Sequence, residues 1–182
     1  VETWELPEVP VDAAVGFDNH DAGRVVGRHF AKAGRRRLVF VGGNDRRATQ
    51  RWHGFVEAAR QAGLAEPRRV LIEWQSGAGA GAAVLANAPD TDAVFAANDA
   101  YAIGLLSALR RANRLGPEPA AVPQVAVVGL GDLEMGRLFS PTVSTIRIDG
   151  AAIGRAAAEL ALDPAKPRRV DLGFELILRE SG

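Results

Sequence analysis

Residues 92–99 read Asp-Ala-Val-Phe-Ala-Ala-Asn-Asp, and this stretch decides the class of fold. Its apolar residues stand on consecutive positions, which is typical of a strand buried on both faces of a parallel sheet. The Asn98-Asp99 pair then offers an N-cap, and residues 100–113 carry apolar side chains at helical spacing. A buried strand followed directly by an amphipathic helix is the repeating unit of an α/β fold.

The same alternation extends to both sides of this unit. Strands are predicted at 11–17, 37–41, 69–74, 92–97, 124–129 and 143–148, with a final strand or pair of short strands at 170–178. Helices are predicted at 21–33, 48–62, 100–113, 132–139 and 150–162, and an Ala-rich helix that ends near Pro89 follows the Gly/Ala-rich loop 76–83. This order predicts a parallel sheet with helices on both faces, in which ligands bind beyond the carboxyl ends of the strands.

Composition excludes several classes of function. The 182 residues suffice for one domain, or for one domain and part of another. The 22 basic residues match the 22 acidic ones, so the basic excess of a dedicated DNA-binding domain is missing. The sequence has no cysteine, which excludes disulfides, thiolate catalysis and cysteine-bound zinc. Its three histidines are not spaced as a metal cluster, and no apolar run is long enough to predict a membrane span.

Motifs of enzymes are weak in this chain. Gly77-x-Gly79-x-x-Ala82 follows a strand as a dinucleotide fingerprint does, but the surrounding Gly/Ala run makes a chance match easy. No phosphate-binding P-loop and no Gly-x-Ser-x-Gly elbow are present. We therefore predict no catalytic residues, no metal and no cofactor, and keep a nucleotide-dependent oxidoreductase as an alternative.

Polar residues gather at the predicted strand ends. Arg51 lies near the start of the helix that follows the strand end 42–45, where a guanidinium can bind an anion or a sugar hydroxyl. Asn19, Asn98 and Asp132 lie at other strand ends, and Trp74 could stack on a sugar. This mixture suits a polyhydroxylated ligand, although strand ends are polar in many α/β proteins.

A series of motifs in a fixed order resembles the sensor domain of lactose-repressor/galactose-repressor type transcriptional regulators. The motifs are Val15-Gly-Phe-Asp-Asn19 with Gly23-Arg24, Gly34–Gly43, Arg51-x-x-Gly54-Phe55, Ala62-Gly63-Leu64, Asp92–Asp99 with Ala102-x-Gly104, Val125–Asp132, Ser140–Ile146, Ile153-Gly154 and Leu178–Ser181. The resemblance runs nearly from end to end. The opening residues 2–7, Glu-Thr-Trp-Glu-Leu-Pro, and the motif 15–19 resemble the gluconate-repressor branch.

The resemblance implies a periplasmic-binding-protein-like α/β fold of two Rossmann-like lobes with parallel sheets flanked by helices. Residues 1–34 and 149–164 would form an incomplete N-terminal lobe, and residues 35–148 and 165–182 would form the C-terminal lobe. It also implies that Arg51, Asn98, Trp74, Asp21 and Asp132 bind the ligand, and the position of Asn19 at a strand end adds it to this set.

One position departs from the family pattern. Many members carry Asp-Asp after the fifth strand, whereas this chain carries Gly131-Asp132. The change removes one hydroxyl acceptor and one negative charge, so a negatively charged sugar acid would be repelled less. This agrees with the gluconate-repressor branch.

The function that the resemblance implies is sensing of a sugar or sugar acid by a cytoplasmic, non-enzymatic repressor that forms a homodimer. Operator DNA would be bound only through an N-terminal headpiece that this chain lacks, and no membrane partner is expected. A periplasmic sugar-binding protein of a transporter shares the fold and stays open as an alternative.

Overall fold

The computed structural model describes residues 1–72, 77–116, 124–163 and 168–182 and confirms the strand–helix alternation. The strands are β1 Glu2–Thr3, β2 Ala14–Gly16, β3 Leu38–Gly42, β4 Arg68–Leu71, β5 Ala93–Ala96, β6 Ala126–Leu130, β7 Ser144–Arg147, β8 Arg169–Asp171 and β9 Glu175–Ile177. The helices are α1 Asn19–Lys32, α2 Arg46–Gln61, α3 Gly77–Asn87, α4 Asp99–Arg111, α5 Glu134–Leu138 and α6 Gly150–Leu162. Trp74 lies outside the described residues.

The strands form two sheets. The larger has six strands in the order β4-β3-β5-β6-β7-β9, and the smaller has three in the order β1-β2-β8. All pairs are parallel except β7 with β9. The predicted α/β class with parallel sheets is therefore confirmed.

Helices cover both faces of the larger sheet because its central strands β3, β5 and β6 carry apolar residues and glycine at consecutive buried positions. On one face, α3 and α4 pack over valines such as Val39 and Val94, with Leu105 and Leu109 fully buried. The other face is aromatic. There α1 and α2 pack over β3 and β5 through the buried residues Phe17, Phe30, Phe40, Phe55 and Phe95.

Two parts of the chain pack differently from the predicted division into lobes. α1 was assigned to the N-terminal lobe, but its buried face lies in the aromatic core of the larger sheet, with Phe30 edge-on to Phe55 at 6.1 Å. β8 was assigned to the C-terminal lobe, but it pairs with β2 in the smaller sheet. The sequence allowed one strand or a pair of short strands at 170–178, and the structure has the pair, β8 and β9, in different sheets.

The Gly/Ala-rich segment also differs from its prediction. Residues from Gly77 onward are helical, not a loop. A Cβ at Gly77 would lie 2.2 Å from the carbonyl oxygen of Ala100, and one at Gly81 would lie 2.7 Å from that of Gly104. These glycines therefore let α3 approach α4 closely, which explains them without a dinucleotide.

Candidate functional site

A cavity of about 530 Å³ opens beyond the carboxyl ends of β3, β4 and β5. Its walls come from the loop after β3, the first turns of α2 and the N-terminus of α4. The lining residues are Gly43, Asn44, Asp45, Arg51, Ile72, Ala97, Asn98 and Tyr101. Two predicted site residues, Arg51 and Asn98, share this cavity.

Arg51 is the central charge of the cavity. It lies in the second turn of α2, which Asp45 caps by accepting a hydrogen bond from the Ala48 amide at 3.0 Å. The side chain is only 7% exposed, and this burial lowers the pKa of Arg51 to about 10. The guanidinium is still charged at neutral pH because that value lies well above 7.

No carboxylate among the described residues forms a salt bridge with Arg51, although the charge of Asp45 raises its pKa against the effect of burial. Its Nη1 donates a hydrogen bond to Oδ1 of Asn19, and its Nε is buried without a partner. A buried charge of this kind is unfavourable unless another group pairs with it. The guanidinium is thus prepared for an anionic or polyhydroxylated ligand.

A close helix crossing brings Asn19 to Arg51. A Cβ at Gly23 would lie 1.9 Å from the carbonyl oxygen of Arg51, and one at Gly54 would lie 1.8 Å from that of His20. No side chain could occupy either position, so both glycines let the backbones of α1 and α2 touch. The first turn of α1 is thereby fixed beside the second turn of α2.

Asn98 and Tyr101 form the opposite wall. The Oδ1 atom of Asn98 accepts a hydrogen bond from the Tyr101 amide at 2.8 Å and so caps α4, as predicted. This cap occupies the side-chain oxygen. The amide NH₂ is the group that a ligand hydroxyl could meet.

Arg69 supports the cavity from behind. From β4 its Nη2 donates to the carbonyl oxygen of Gly43 at 3.2 Å and to Oγ1 of Thr49 at 3.0 Å. Its guanidinium carbon lies 5.8 Å from the ring centre of Trp52. Burial lowers the pKa of Arg69, while the charge of Asp45 opposes that shift. Arg69 thus joins the loop after β3 to the start of α2.

Asp132 does not share this cavity. It lies at a second cavity of about 680 Å³ beyond β6, together with Gly131, Gly150 and Phe174. Its carboxylate pairs with Arg179 at 2.6 Å and with Arg137 at 3.4 Å. Asp132 therefore has two cationic partners within the protein, and its contact with a ligand stays a prediction.

A neighbouring carboxylate, Asp99, fixes the same region. It accepts hydrogen bonds from Oγ1 of Thr145 and from the Leu133 amide, both at 2.7 Å. Burial raises the pKa of Asp99, although these two hydrogen bonds oppose the shift. The carboxylate thereby joins the start of α4 to β7 and to the loop before α5.

Replacing Asp132 with Asn should destabilise the domain by about 3 kcal/mol, because the nearly buried Arg179 would lose its counter-charge. Urea unfolding of the variant measures this loss. Glu175→Gln is the control, because it breaks an ion pair with Arg147 whose partners are both more than half exposed. That control should change stability by less than about 0.5 kcal/mol. Equal losses in both variants would contradict the structural role of Asp132.

The remaining predicted residues have other surroundings. Asp21 lies in the first turn of α1, where it accepts a hydrogen bond from Nε of Arg24 at 2.8 Å. Asn19 is buried beneath Arg51 and does not line the cavity.

Sequence reasoning missed the apolar part of the wall. Ile72 and Ala97 each follow directly after a strand, and Tyr101 lies one turn after the Asn98 cap. The rule that ligands bind beyond strand ends could have included all three. They were not predicted because the search for ligand contacts at strand ends favoured polar side chains.

Among the residues that the structure describes, no group of three or more histidine and acidic side chains could hold a metal ion. No helix there is both long and apolar enough to cross a membrane.

Comparison with known sequences identifies the family. The profile of the periplasmic binding protein-like domain matches residues 28–182. The HTH-type transcriptional regulator GntR of Pseudomonas aeruginosa is 40% identical over 179 residues, covering 92% of this chain and 50% of that protein. The regulator IdnR of Escherichia coli is 30% identical over 186 residues, covering 97% and 54% respectively.

Solved structures agree with this result. A LacI family transcriptional regulator from Silicibacter pomeroyi has a TM-score of 0.81 and 36% identity, covering 98% of this chain and 67% of that one. A complex of the transcriptional regulator CelR with cellobiose has a TM-score of 0.83 and 30% identity, covering 99% and 57%.

The fold and these matches define an effector-binding domain of the periplasmic-binding-protein type. The chain belongs to the LacI family of transcriptional regulators. It spans about half the length of the curated relatives that it matches.

Proposed function

We propose that this domain senses a sugar or sugar acid for a DNA-binding transcriptional repressor. The observation that carries the proposal is the buried guanidinium of Arg51, which faces a cavity without a carboxylate partner in the described chain. A ligand carboxylate or hydroxyl would supply the missing acceptor. The similarity to HTH-type regulators supports the role in transcription.

The chemistry of the cavity favours a sugar acid over a neutral sugar. Arg51 supplies a positive charge, and Asn98 and Tyr101 offer hydrogen-bonding groups and a ring for the carbon chain. Asp45, the one carboxylate among the described lining residues, caps α2. D-gluconate is therefore our first candidate.

Ligand binding would act by shifting a population of conformations. The ligand must bind more tightly to one arrangement of the two sheets than to the other, because equal affinity shifts nothing. In a homodimer this shift would move DNA-binding segments relative to each other and change operator affinity. The protein would act in the cytoplasm and would need neither a catalytic residue nor a cofactor.

Exposed apolar side chains support a dimer contact near α5. Leu133, Met135 and Leu138 lie on or beside this helix and are 49%, 68% and 80% exposed. Large apolar side chains that cluster at a surface often mark an interface. We propose that α4 and the segment 132–139 form part of the contact between two copies.

Isothermal titration of the complete natural protein tests the ligand class. D-gluconate should bind saturably and at least about tenfold more tightly than glucose, a difference of about 1.4 kcal/mol. Ribose and a purine base serve as further controls. Tighter binding of glucose would contradict the sugar-acid preference, whereas heat from the purine alone would contradict the sugar class altogether.

A further inference from the structure

Asn19 occupies the boundary between the two sheets. It is the first residue of α1 and is only 2% exposed. Its Oδ1 accepts the hydrogen bond from Nη1 of Arg51, and its Nδ2 donates to the carbonyl oxygen of Trp4 at 2.9 Å. One side chain thus bonds to the cavity arginine on one side and to the backbone beside β1 on the other.

Trp4 is 39% exposed and contacts both the smaller sheet and the start of α6. Its amide donates to the carbonyl oxygen of Val15 in β2 at 3.0 Å. A Cβ at Gly150 would lie 3.0 Å from the Trp4 ring, so the ring covers the start of α6. Trp4 has a φ of 70°, a conformation that a bulky residue adopts only when its surroundings hold it. The bond from Asn19 is one of these restraints.

A second link runs parallel to this one but is weaker. Glu5, the residue after Trp4, lies 3.6 Å from Nε of Arg46 at the start of α2. The side chain of Arg46 is 62% exposed, so solvent screens this pair. The buried path from Arg51 through Asn19 to Trp4 is therefore the stronger connection.

We propose that Asn19 is a positioning residue that couples Arg51 to the smaller sheet, an inference that rests on the proposed function of the cavity. Asn19 fixes the plane of the guanidinium at the wall of the cavity. A bound anion then restrains the guanidinium further, and the restraint passes through the Asn19 amide to Trp4. Because such coupling is reciprocal, the state of the smaller sheet also sets the affinity of the cavity.

The simpler explanation is that Asn19 only stabilises the start of α1. Asp18→Ala provides the control for it. Asp18 caps the same helix by accepting a hydrogen bond from the Asp21 amide at 2.9 Å, and it forms no bond to Arg51. A structural role predicts similar effects for both variants, whereas coupling predicts effects at Trp4 for Asn19→Ala alone.

The first experiment needs no ligand. Quenching of tryptophan fluorescence by acrylamide is measured in the complete protein, and the Trp4 contribution is obtained by difference from Trp4→Phe. Arg51→Met and Asn19→Ala should each raise Trp4 quenching, and the double variant should raise it no further than Asn19→Ala does. Unchanged quenching in Arg51→Met, or additive effects in the double variant, would overturn the coupling.

The second experiment adds D-gluconate. Binding should lower Trp4 quenching in the natural protein and in Asp18→Ala. In Asn19→Ala the affinity should fall about tenfold and the Trp4 response should vanish. A normal affinity and response in Asn19→Ala would refute the proposal. If the natural protein binds none of the titrated ligands, the proposed ligand class fails, and the ligand-free experiment still decides the coupling.

Discussion

Gly54→Ala should unfold the domain at room temperature or leave it with only a small fraction of its stability. The new methyl carbon would lie 1.8 Å from the carbonyl oxygen of His20, and both partners are helix backbone that cannot rotate away. Relief requires α1 and α2 to separate, which would open the aromatic core around Phe30 and Phe55. We expect a loss of more than about 4 kcal/mol, among the largest for a single substitution.

Thermal and urea unfolding measure this loss, with Gly154→Ala as the matched control. Gly154 lies inside α6, and nothing lies within 4 Å of the position that its Cβ would take. The control should gain about 0.5–1 kcal/mol, because alanine favours a helix and restricts the unfolded chain. If Gly54→Ala unfolds cooperatively at the same midpoint as the original protein, α1 and α2 do not cross as closely as the structure shows.

Arg51→Met should abolish ligand binding and leave stability nearly unchanged. The methionine removes a buried charge that forms no salt bridge in the described chain, and this gain offsets the hydrogen bond lost to Asn19. The free energy of unfolding should stay within about 1 kcal/mol of its original value. D-gluconate, by contrast, would lose its charged partner at a cost of about 3–5 kcal/mol, a fall in affinity of 100-fold or more.

Arg47→Met is the control for overall charge. Arg47 lies four residues earlier in α2 and is exposed, and its charge lowers the pKa of Arg51. Its replacement should change D-gluconate affinity less than about threefold, since an exposed charge is screened by solvent. Calorimetric titration of D-gluconate into both variants distinguishes a specific contact with Arg51 from a general effect of positive charge. Equal losses would mean that charge in general, and not Arg51 itself, attracts the ligand.

Part of the candidate site could be predicted from the sequence. Arg51 and Asn98 were selected because they follow predicted strands, and the structure places both on one cavity. Parallel strands bring their carboxyl ends to one edge, so local pattern alone implies this proximity. Whether either residue binds a ligand stays a prediction.

The surroundings of Asp132 and Asn19 could not be predicted from the local sequence. Asp132 also follows a strand, yet Arg179 neutralises it from 47 positions further along the chain. Asn19 was selected as a ligand contact, but the crossing of α1 and α2 places it beneath Arg51. Both outcomes depend on distant packing that no local pattern encodes.

The sequence by itself determined the α/β class, the order of the main elements and the Asn98 cap of α4. Consecutive apolar residues require burial on both faces, and caps such as Asp45, Asn98 and Asp149 act within three residues of their own position. Only the tertiary structure decided that α1 packs on the larger sheet, that β8 joins the smaller one, and that Arg51 is buried without a carboxylate of the described chain. These features arise between segments far apart in sequence, where the relative position of two backbones sets which charges meet.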